Sequence, residues 1–138
     1  MTAPTTIPKP LPVPSPTSRP FWEATKQHRL SIQRCNACKQ YVFYPRTLCP
    51  HCGAADLSWT GVSGKATLYS FTIARKATAR PWDADVPYVI AIVELEEGPR
   101  MTSNIVGCPV EDVRIGMPLL ATFEDVSDEI TLVFFRPA

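Results

Sequence analysis

The sequence predicts a mostly β protein in which a short N-terminal helix and a cysteine-rich ribbon precede a five-stranded barrel. Four cysteines form two C-x-x-C pairs between positions 35 and 52, and five strand-like segments follow position 64. The 138 residues are 45% hydrophobic and 20% charged, a composition that allows a folded core. The net charge of +1 lacks the basic excess that is typical of nucleic-acid-binding proteins.

Residues 1–18 are rich in proline and contain few side chains that can pack. We expect a disordered arm of polyproline type, either a solvated tail or a segment that lies along a partner subunit. The arm has no apolar region of the secretory kind, and the chain has no run of eighteen apolar residues. We therefore expect a cytoplasmic protein without a membrane span.

A short helix within residues 18–30 is predicted to begin the folded part. Ser18 is a candidate N-cap residue, with a proline close behind it. Helical spacing puts four residues on one face: Phe21, Ala24, Thr25 and His28. We expect Phe21 and Trp22 to pack against the ribbon or against a partner.

The four cysteines, Cys35, Cys38, Cys49 and Cys52, have the spacing C-x2-C-x10-C-x2-C. Each pair can form a tight turn that presents two sulfurs to one metal, and an aromatic run at 41–44 between the pairs favours a strand. Four thiolates fill a tetrahedral zinc site and leave no position for water, so we interpret the site as structural. Redox or disulfide pairs and an iron site of the rubredoxin type are the alternatives.

Two further side chains near this pattern are candidates for chemistry. His51 lies inside the second pair and is an alternative ligand, although a residue at the tip of such a turn usually faces solvent. Cys108 stands alone at the end of a predicted strand, without a histidine or acid that would activate it. We interpret it as a half-buried structural thiol.

The second half of the chain predicts an OB-fold. The strand-like segments are 66–74, 88–95, 101–106, 119–123 and 130–135. A hairpin at 96–99 joins the second and third strands, and residues 108–116 allow one helical turn between the third and fourth. Five short strands in this order are typical of the OB-fold barrel. We divide the chain into the arm, 1–18, the helix with the ribbon, 19–60, and the barrel, 61–138.

The chain resembles the acyl-CoA-associated OB-fold proteins that carry an N-terminal rubredoxin-like zinc ribbon. The resemblance runs from about Arg19 to Ala138 and rests on the stretch RPFWEATKQHRLSIQRCNACKQYVFYPRTLCPHCG, on PYVIAIVELEEGPRMTSNIVG and on the terminal FFRPA. It implies a small partner subunit of thiolase-like enzymes, such as thiolases, acyltransferases and steroid side-chain aldolases. The chain is then a non-catalytic, zinc-binding part of a hetero-oligomer in lipid metabolism, and its partner carries the thiolysis, acyl transfer or retro-aldol cleavage.

Acyl-CoA is the shared ligand that this resemblance implies, and its phosphates require cations. Basic side chains on the predicted first barrel strand and the loop after it are candidates for that contact: Lys65, Arg75, Lys76 and Arg80. They are alternatively a solvated strand edge. Trp82 is a candidate for a partner interface or a cap on the barrel core, and Arg46 is a candidate for an ion pair or a ligand contact.

Two other functions compete with this hypothesis. A single-stranded nucleic-acid-binding module is possible for a ribbon joined to an OB-fold, but the near-neutral charge argues against it. An independent electron carrier would need a redox-active metal in the four-cysteine site. Fold alone does not decide among these functions.

Overall fold

The computed structural model describes residues 8–138. In that part of the chain a single α-helix, eight strands and two short 3-10 turns follow one another. The helix is α1 (Arg19–Lys26), and the ribbon strands are β1 (Ser31–Cys35), β2 (Tyr41–Val42) and β3 (Leu57–Gly61). The barrel strands are β4 (Lys65–Ala74), β5 (Tyr88–Leu95), β6 (Arg100–Ile105), β7 (Pro118–Asp125) and β8 (Thr131–Pro137). The 3-10 turns are Arg80–Trp82 and Val110–Asp112.

The N-terminal segment from residue 8 to 15 has no helix or strand, and a turn at 16–18 leads into α1. An ion pair between Lys9 and Asp85 connects this segment to the loop between β4 and β5. Residues 1–7 lie outside the described residues, and the predicted disorder of the arm stays a prediction. Ser18 does occupy the N-cap position, but its hydroxyl contacts Ser15 rather than the first turn of the helix.

Helix α1 buries the face that its spacing predicts, up to the point where the helix ends. Phe21, Ala24 and Thr25 are buried, and the Thr25 hydroxyl donates to the Trp22 carbonyl at 2.8 Å, which satisfies it inside the core. His28 was expected on the same face, and that expectation is wrong. The helix ends at Lys26, and His28 has a left-handed backbone with φ of 57° and an exposed side chain.

The ribbon is a three-stranded antiparallel sheet in the order β2-β1-β3. Strand β1 lies in the centre, where Gln33 faces Val42 on one side and Trp59 on the other. The aromatic run at 41–44 was expected to form the strand of the ribbon, but only its first two residues do so. The rest begins the loop that returns to the second cysteine pair.

The barrel is closed, with the strand order β4-β5-β6-β8-β7 and a last pairing between β7 and β4. Strands β6 and β8 are parallel, and the other pairs are antiparallel. This is the predicted OB-fold topology, and the five strands lie within two residues of their predicted bounds. Strand β5 alternates strictly, because Val89, Ala91, Val93 and Leu95 face the core and the residues between them face outward.

One continuous core joins the barrel to the helix and to β1. Phe135 and Val93 are fully buried at its centre, and Phe21 and Ile32 belong to the same packed cluster. A second, smaller cluster surrounds Cys35, Cys49 and Val42 at the far side of the ribbon. The ribbon is therefore anchored on the barrel by one face, while its cysteine end depends on its own interactions.

Gly64 makes the turn that connects ribbon and barrel. It has φ of +81°, and a Cβ added there would lie 3.4 Å from the Cβ of Ala121. The Ala121 amide donates to the Gly64 carbonyl at 2.8 Å, which closes the turn against β7. A left-handed, tightly packed position of this kind favours glycine.

Candidate metal centre

The two C-x-x-C pairs form two turns of the same design. In the first, the Lys39 amide donates to the Cys35 carbonyl at 2.9 Å, and in the second the Gly53 amide donates to the Cys49 carbonyl at the same distance. Lys39 and Gly53 both have positive φ, 68° and 79°. Because each turn needs this conformation after its second cysteine, the two turns present their sulfurs in equivalent ways.

The four sulfurs converge on one point. The Sγ atoms of Cys35, Cys38, Cys49 and Cys52 all lie within 4.8 Å of one another, and two of the pairs, 35 with 52 and 38 with 49, are 3.6 and 3.7 Å apart. A tetrahedral zinc ion with Zn–S bonds of about 2.3 Å requires S···S separations of about 3.8 Å. The side chains of the two turns therefore fit a tetrahedral zinc ion.

Backbone amides and neighbouring sulfurs shift the pKa values of these cysteines in opposite directions. The Cys38 N–H donates to the Cys35 sulfur at 3.4 Å and lowers the pKa of Cys35 to about 7. At Cys52 the Ala54 N–H has the same effect, but the Cys35 sulfur and burial outweigh it and raise the pKa to about 11. Four adjacent thiols do not all ionise by themselves, so the site needs a cation to hold four thiolates.

Two polar side chains outside the cysteine pattern position the site. Gln33 is buried and forms two side-chain hydrogen bonds with the backbone of Arg46. It accepts from the Arg46 N–H at 2.7 Å and donates to the Arg46 C=O at 2.8 Å. Asn36 donates to the Asp56 carboxylate at 2.9 Å and to the Ser58 hydroxyl at 2.7 Å, which joins the first turn to β3. Sequence reasoning missed both residues, since single amides give no periodic signal.

The other candidates for chemistry lie away from the sulfurs. His51 is exposed and contributes only its N–H, which donates to the Cys49 sulfur at 3.4 Å, so its imidazole is not among the clustered ligands. Cys108 is half-buried, and burial followed by the charge of Asp112 raises the pKa of its thiol. A raised pKa disfavours the thiolate, which agrees with a structural role.

The structure brings three of the four candidate phosphate contacts together. Arg75 and Lys76 follow β4 directly, and Arg80 opens the 3-10 turn in the same loop; all three are exposed. Lys65 lies at the opposite end of β4, ten residues away from Arg75, which is roughly 30 Å along an extended strand. Lys65 therefore lies at the other end of the strand from this loop.

Trp82 lies on the same loop and lines a shallow groove of about 330 Å³ on the outside of the barrel. Tyr88, Ile90 and Asn104 form the floor of this groove. The Asn104 side-chain amide donates to the Val89 carbonyl at 2.7 Å, which holds β6 against β5 there. Trp82 is half-buried and is not among the side chains packed against the barrel core, which argues against a cap.

Comparison with known proteins assigns the family. The model of the ChsH2 rubredoxin-like zinc ribbon domain matches residues 22–58, and that of the ChsH2 C-terminal OB-fold domain matches residues 59–124. A DUF35 domain-containing scaffold protein from Methanocaldococcus jannaschii is 38% identical over 110 residues, which cover 78% of this chain and 77% of the relative. This chain belongs to the ChsH2 (DUF35) family. The match to a zinc ribbon model supports a structural zinc ion in the four-cysteine site.

Two further members show how the ChsH2 (DUF35) domain occurs. A chain in the solved structure of the Ltp2-ChsH2(DUF35) aldolase is 38% identical, with a TM-score of 0.82 over 92% of this chain and 98% of that chain. A probable enoyl-CoA hydratase alpha subunit from Thermomonospora curvata is 42% identical over 119 residues, 86% of this chain. This chain spans only 37% of that relative.

Within residues 8–138, no helix has the length and apolar character that crossing a bilayer takes.

Proposed function

We propose that this chain is the non-catalytic scaffold subunit of a hetero-oligomeric acyl-CoA enzyme, and that a thiolase-fold partner carries the reacting groups. The observation that carries the proposal is the likeness to a chain of the Ltp2-ChsH2(DUF35) aldolase, at a TM-score of 0.82 and over 98% of that chain. Such a likeness includes the ribbon, the barrel and their junction. A chain with the same ribbon, barrel and junction can bind a partner subunit through the same surface.

The ribbon serves this function as a rigid element. Cys35, Cys38, Cys49 and Cys52 would hold the zinc ion, which supplies a cross-link between the two turns and has no open position for substrate. Gln33, on β1, fixes the position of the loop between the two turns through its two hydrogen bonds to the Arg46 backbone. Four reduced thiolates persist in a reducing compartment, so we place the protein in the cytoplasm.

Acyl-CoA contact is the second part of the proposal. Arg75, Lys76 and Arg80 lie on one loop, and none of them forms an ion pair with an acid among residues 8–138. Unpaired cations on one loop can complete the binding of the phosphates at the nucleotide end of CoA, while the enzyme holds the acyl end. Lys65 lies too far along β4 to contact the same phosphates.

A hydratase partner is the second candidate. It is favoured by the Thermomonospora curvata relative, whose name is that of an enoyl-CoA hydratase alpha subunit and of which this chain spans about a third. In this alternative the chain is still a scaffold, and Arg75, Lys76 and Arg80 still contact CoA. The reaction of the partner is then hydration instead of carbon–carbon cleavage or acyl transfer.

The experiment is purification of the tagged chain from its native cells, mass spectrometry of the captured proteins, and reconstitution from separately purified subunits. We expect a thiolase-fold enzyme whose turnover of an acyl-CoA substrate needs both chains. A hydratase in its place would select the alternative. Capture of neither enzyme, or full activity of the enzyme without this chain, would contradict the proposal.

In the reconstituted enzyme, Lys76→Ala combined with Arg80→Ala should raise the Michaelis constant for acyl-CoA several-fold. Lys65→Ala is the matched control, because it removes an exposed cation on β4, outside the loop. An unchanged constant in the double variant would refute the phosphate contact and leave the scaffold role standing.

A further inference from the structure

We propose that the ribbon loop at 43–48 and the outer face of β5 and β6 form one docking face, and that the enzyme subunit binds there. This inference rests on the proposed function and names the surface that it uses. The bound partner is expected to present an apolar patch with an acidic side chain opposite Arg46.

The centre of the docking face is apolar although it faces outward. On β5, Ile90 and Ile92 alternate with buried residues, and each is 38% exposed. On the neighbouring strand β6 they face Asn104 and Thr102, which are uncharged. An outward strand face in a soluble protein usually carries charges, so two adjacent exposed isoleucines mark a surface that is covered in an assembly.

The ribbon contacts this surface through Tyr44. Tyr44 is 53% exposed, and its hydroxyl donates a long hydrogen bond of 3.4 Å to the Thr102 hydroxyl, beside Ile92. Its ring packs at 4.5 Å from that of Phe43, which in turn lies 5.8 Å from Phe21 in the buried core. The aromatic contacts therefore fix the position of Tyr44 relative to the barrel.

The loop behind Tyr44 is held as firmly. Buried Gln33 binds both backbone groups of Arg46, and the loop runs from strand β2 to Cys49 of the four-cysteine site. Leu48, 55% exposed, is a second large apolar side chain on this loop. Tyrosine and arginine are enriched in binding hot spots. Because the loop is already ordered, it loses little conformational entropy when a partner binds.

The charges at the two ends of the docking face select the partner. Arg46 lies at the ribbon end, and Arg75, Lys76 and Arg80 lie on the loop at the Trp82 end. None of the four has an ion-pair partner within residues 8–138. A second copy of this chain, placed face to face by a two-fold axis, would bring an excess of positive charge together at both ends, because the three cations of the Trp82 loop outnumber its two acids, Asp83 and Asp85. The charge distribution therefore favours a different chain, one that carries an acid opposite Arg46 and binds the CoA whose phosphates Arg75, Lys76 and Arg80 contact at the other end.

The test measures binding of purified, zinc-loaded chain to the enzyme subunit isolated from the reconstituted complex. Ile92→Asp and Ile90→Asp each place a charge in the centre of the docking face. Ile115→Asp is the matched control, because Ile115 is 67% exposed in the segment before β7 and outside the docking face. Circular dichroism and zinc content verify that the variants are folded.

We expect Ile92→Asp and Ile90→Asp each to raise the dissociation constant at least thirtyfold, the size of a hot-spot loss, and Ile115→Asp to change it less than threefold. Tyr44→Ala should weaken binding in the same direction with zinc content unchanged. Equal binding by the wild type and both β5 variants, or equal losses in the control, would overturn the docking face.

Other occupants and a failure of the proposed function give different results. Self-association of the chain alone that Ile92→Asp abolishes would identify a second copy as the occupant. Displacement of the enzyme by a single-stranded oligonucleotide would identify nucleic acid, and either result would overturn the inference. If the wild type binds no thiolase-fold or hydratase subunit, the proposed function itself fails, whatever the variants do.

Discussion

Loss of the metal should unfold the cysteine end of the ribbon and leave the barrel intact. Cys49→Ser is the perturbation, because Cys49 is a buried member of the four-sulfur cluster. Apart from sulfurs, the apolar contribution there comes from buried Val42 and half-buried Leu57 and Ala54. Together these bury enough apolar surface for about 4 kcal/mol at most. A structural zinc site contributes about 10–16 kcal/mol, so nothing else in this cluster replaces it.

Hydrogen exchange followed by mass spectrometry measures this effect segment by segment. The amides of Cys35, Cys49 and Gly53 form backbone hydrogen bonds of 2.8–2.9 Å in the two turns and should lose their protection. Strand β5, in the separate main core, should keep its protection. Cys108→Ser is the matched control, since it removes a half-buried cysteine outside the cluster and should retain zinc. Full protection of the turns in metal-free Cys49→Ser would refute the reasoning.

Three smaller perturbations test the supports of the site and the junction. Gln33→Leu should lower the free energy of unfolding by about 1–2 kcal/mol, because it leaves both backbone groups of Arg46 without their partner; urea titration measures it. Gly64→Ala should cost roughly 1–2 kcal/mol in the same assay, since a left-handed backbone is strained for alanine. The Thr131 hydroxyl, at 2.6 Å, is the main cause that lowers the pKa of Asp125. The stability that Asp125→Asn removes should be largest above pH 4 and vanish as the pH falls through that lowered pKa.

The controls for these variants come from the same chain. Gly61→Ala adds a Cβ that meets no atom within 4 Å on a glycine without positive φ, so it should cost less than Gly64→Ala. Asp128→Asn removes an exposed acid in the loop after β7 that has no hydrogen bond or ion pair within residues 8–138, and it should leave the free energy of unfolding nearly unchanged. Equal effects of the two glycine variants would mean that the conformation at Gly64 is not what the turn requires. A pH-independent effect of Asp125→Asn would contradict the hydrogen bond to Thr131.

The barrel strands were predictable from sequence because their burial follows the side-chain period of two. In β5, four buried residues alternate with outward ones, and the hairpin at 96–99 ends the strand where expected. The four cysteines were predictable for a different reason, since their spacing is itself the geometric requirement of the site. Both signals are local, and neither depends on distant parts of the chain.

The parts that could not be predicted depend on tertiary contacts. Strand β1 carries a buried glutamine in its centre, which removes the alternation that would have marked it. His28 was expected on the helix face because its spacing fits, but its ring stacks on Phe123 at 5.3 Å and bonds Asp125 at 3.0 Å, in the barrel. Lys65 was grouped with Arg75 by nearness in sequence, whereas an extended strand separates them.

The most direct measurement is turnover of an acyl-CoA thioester by the purified, zinc-loaded chain, alone and together with the enzyme subunit. A scaffold whose metal site is closed by four sulfurs should give no turnover alone at any concentration, and activity should appear in proportion to the complex formed. Product formation by this chain without any partner would contradict the assignment of the chemistry to the other subunit.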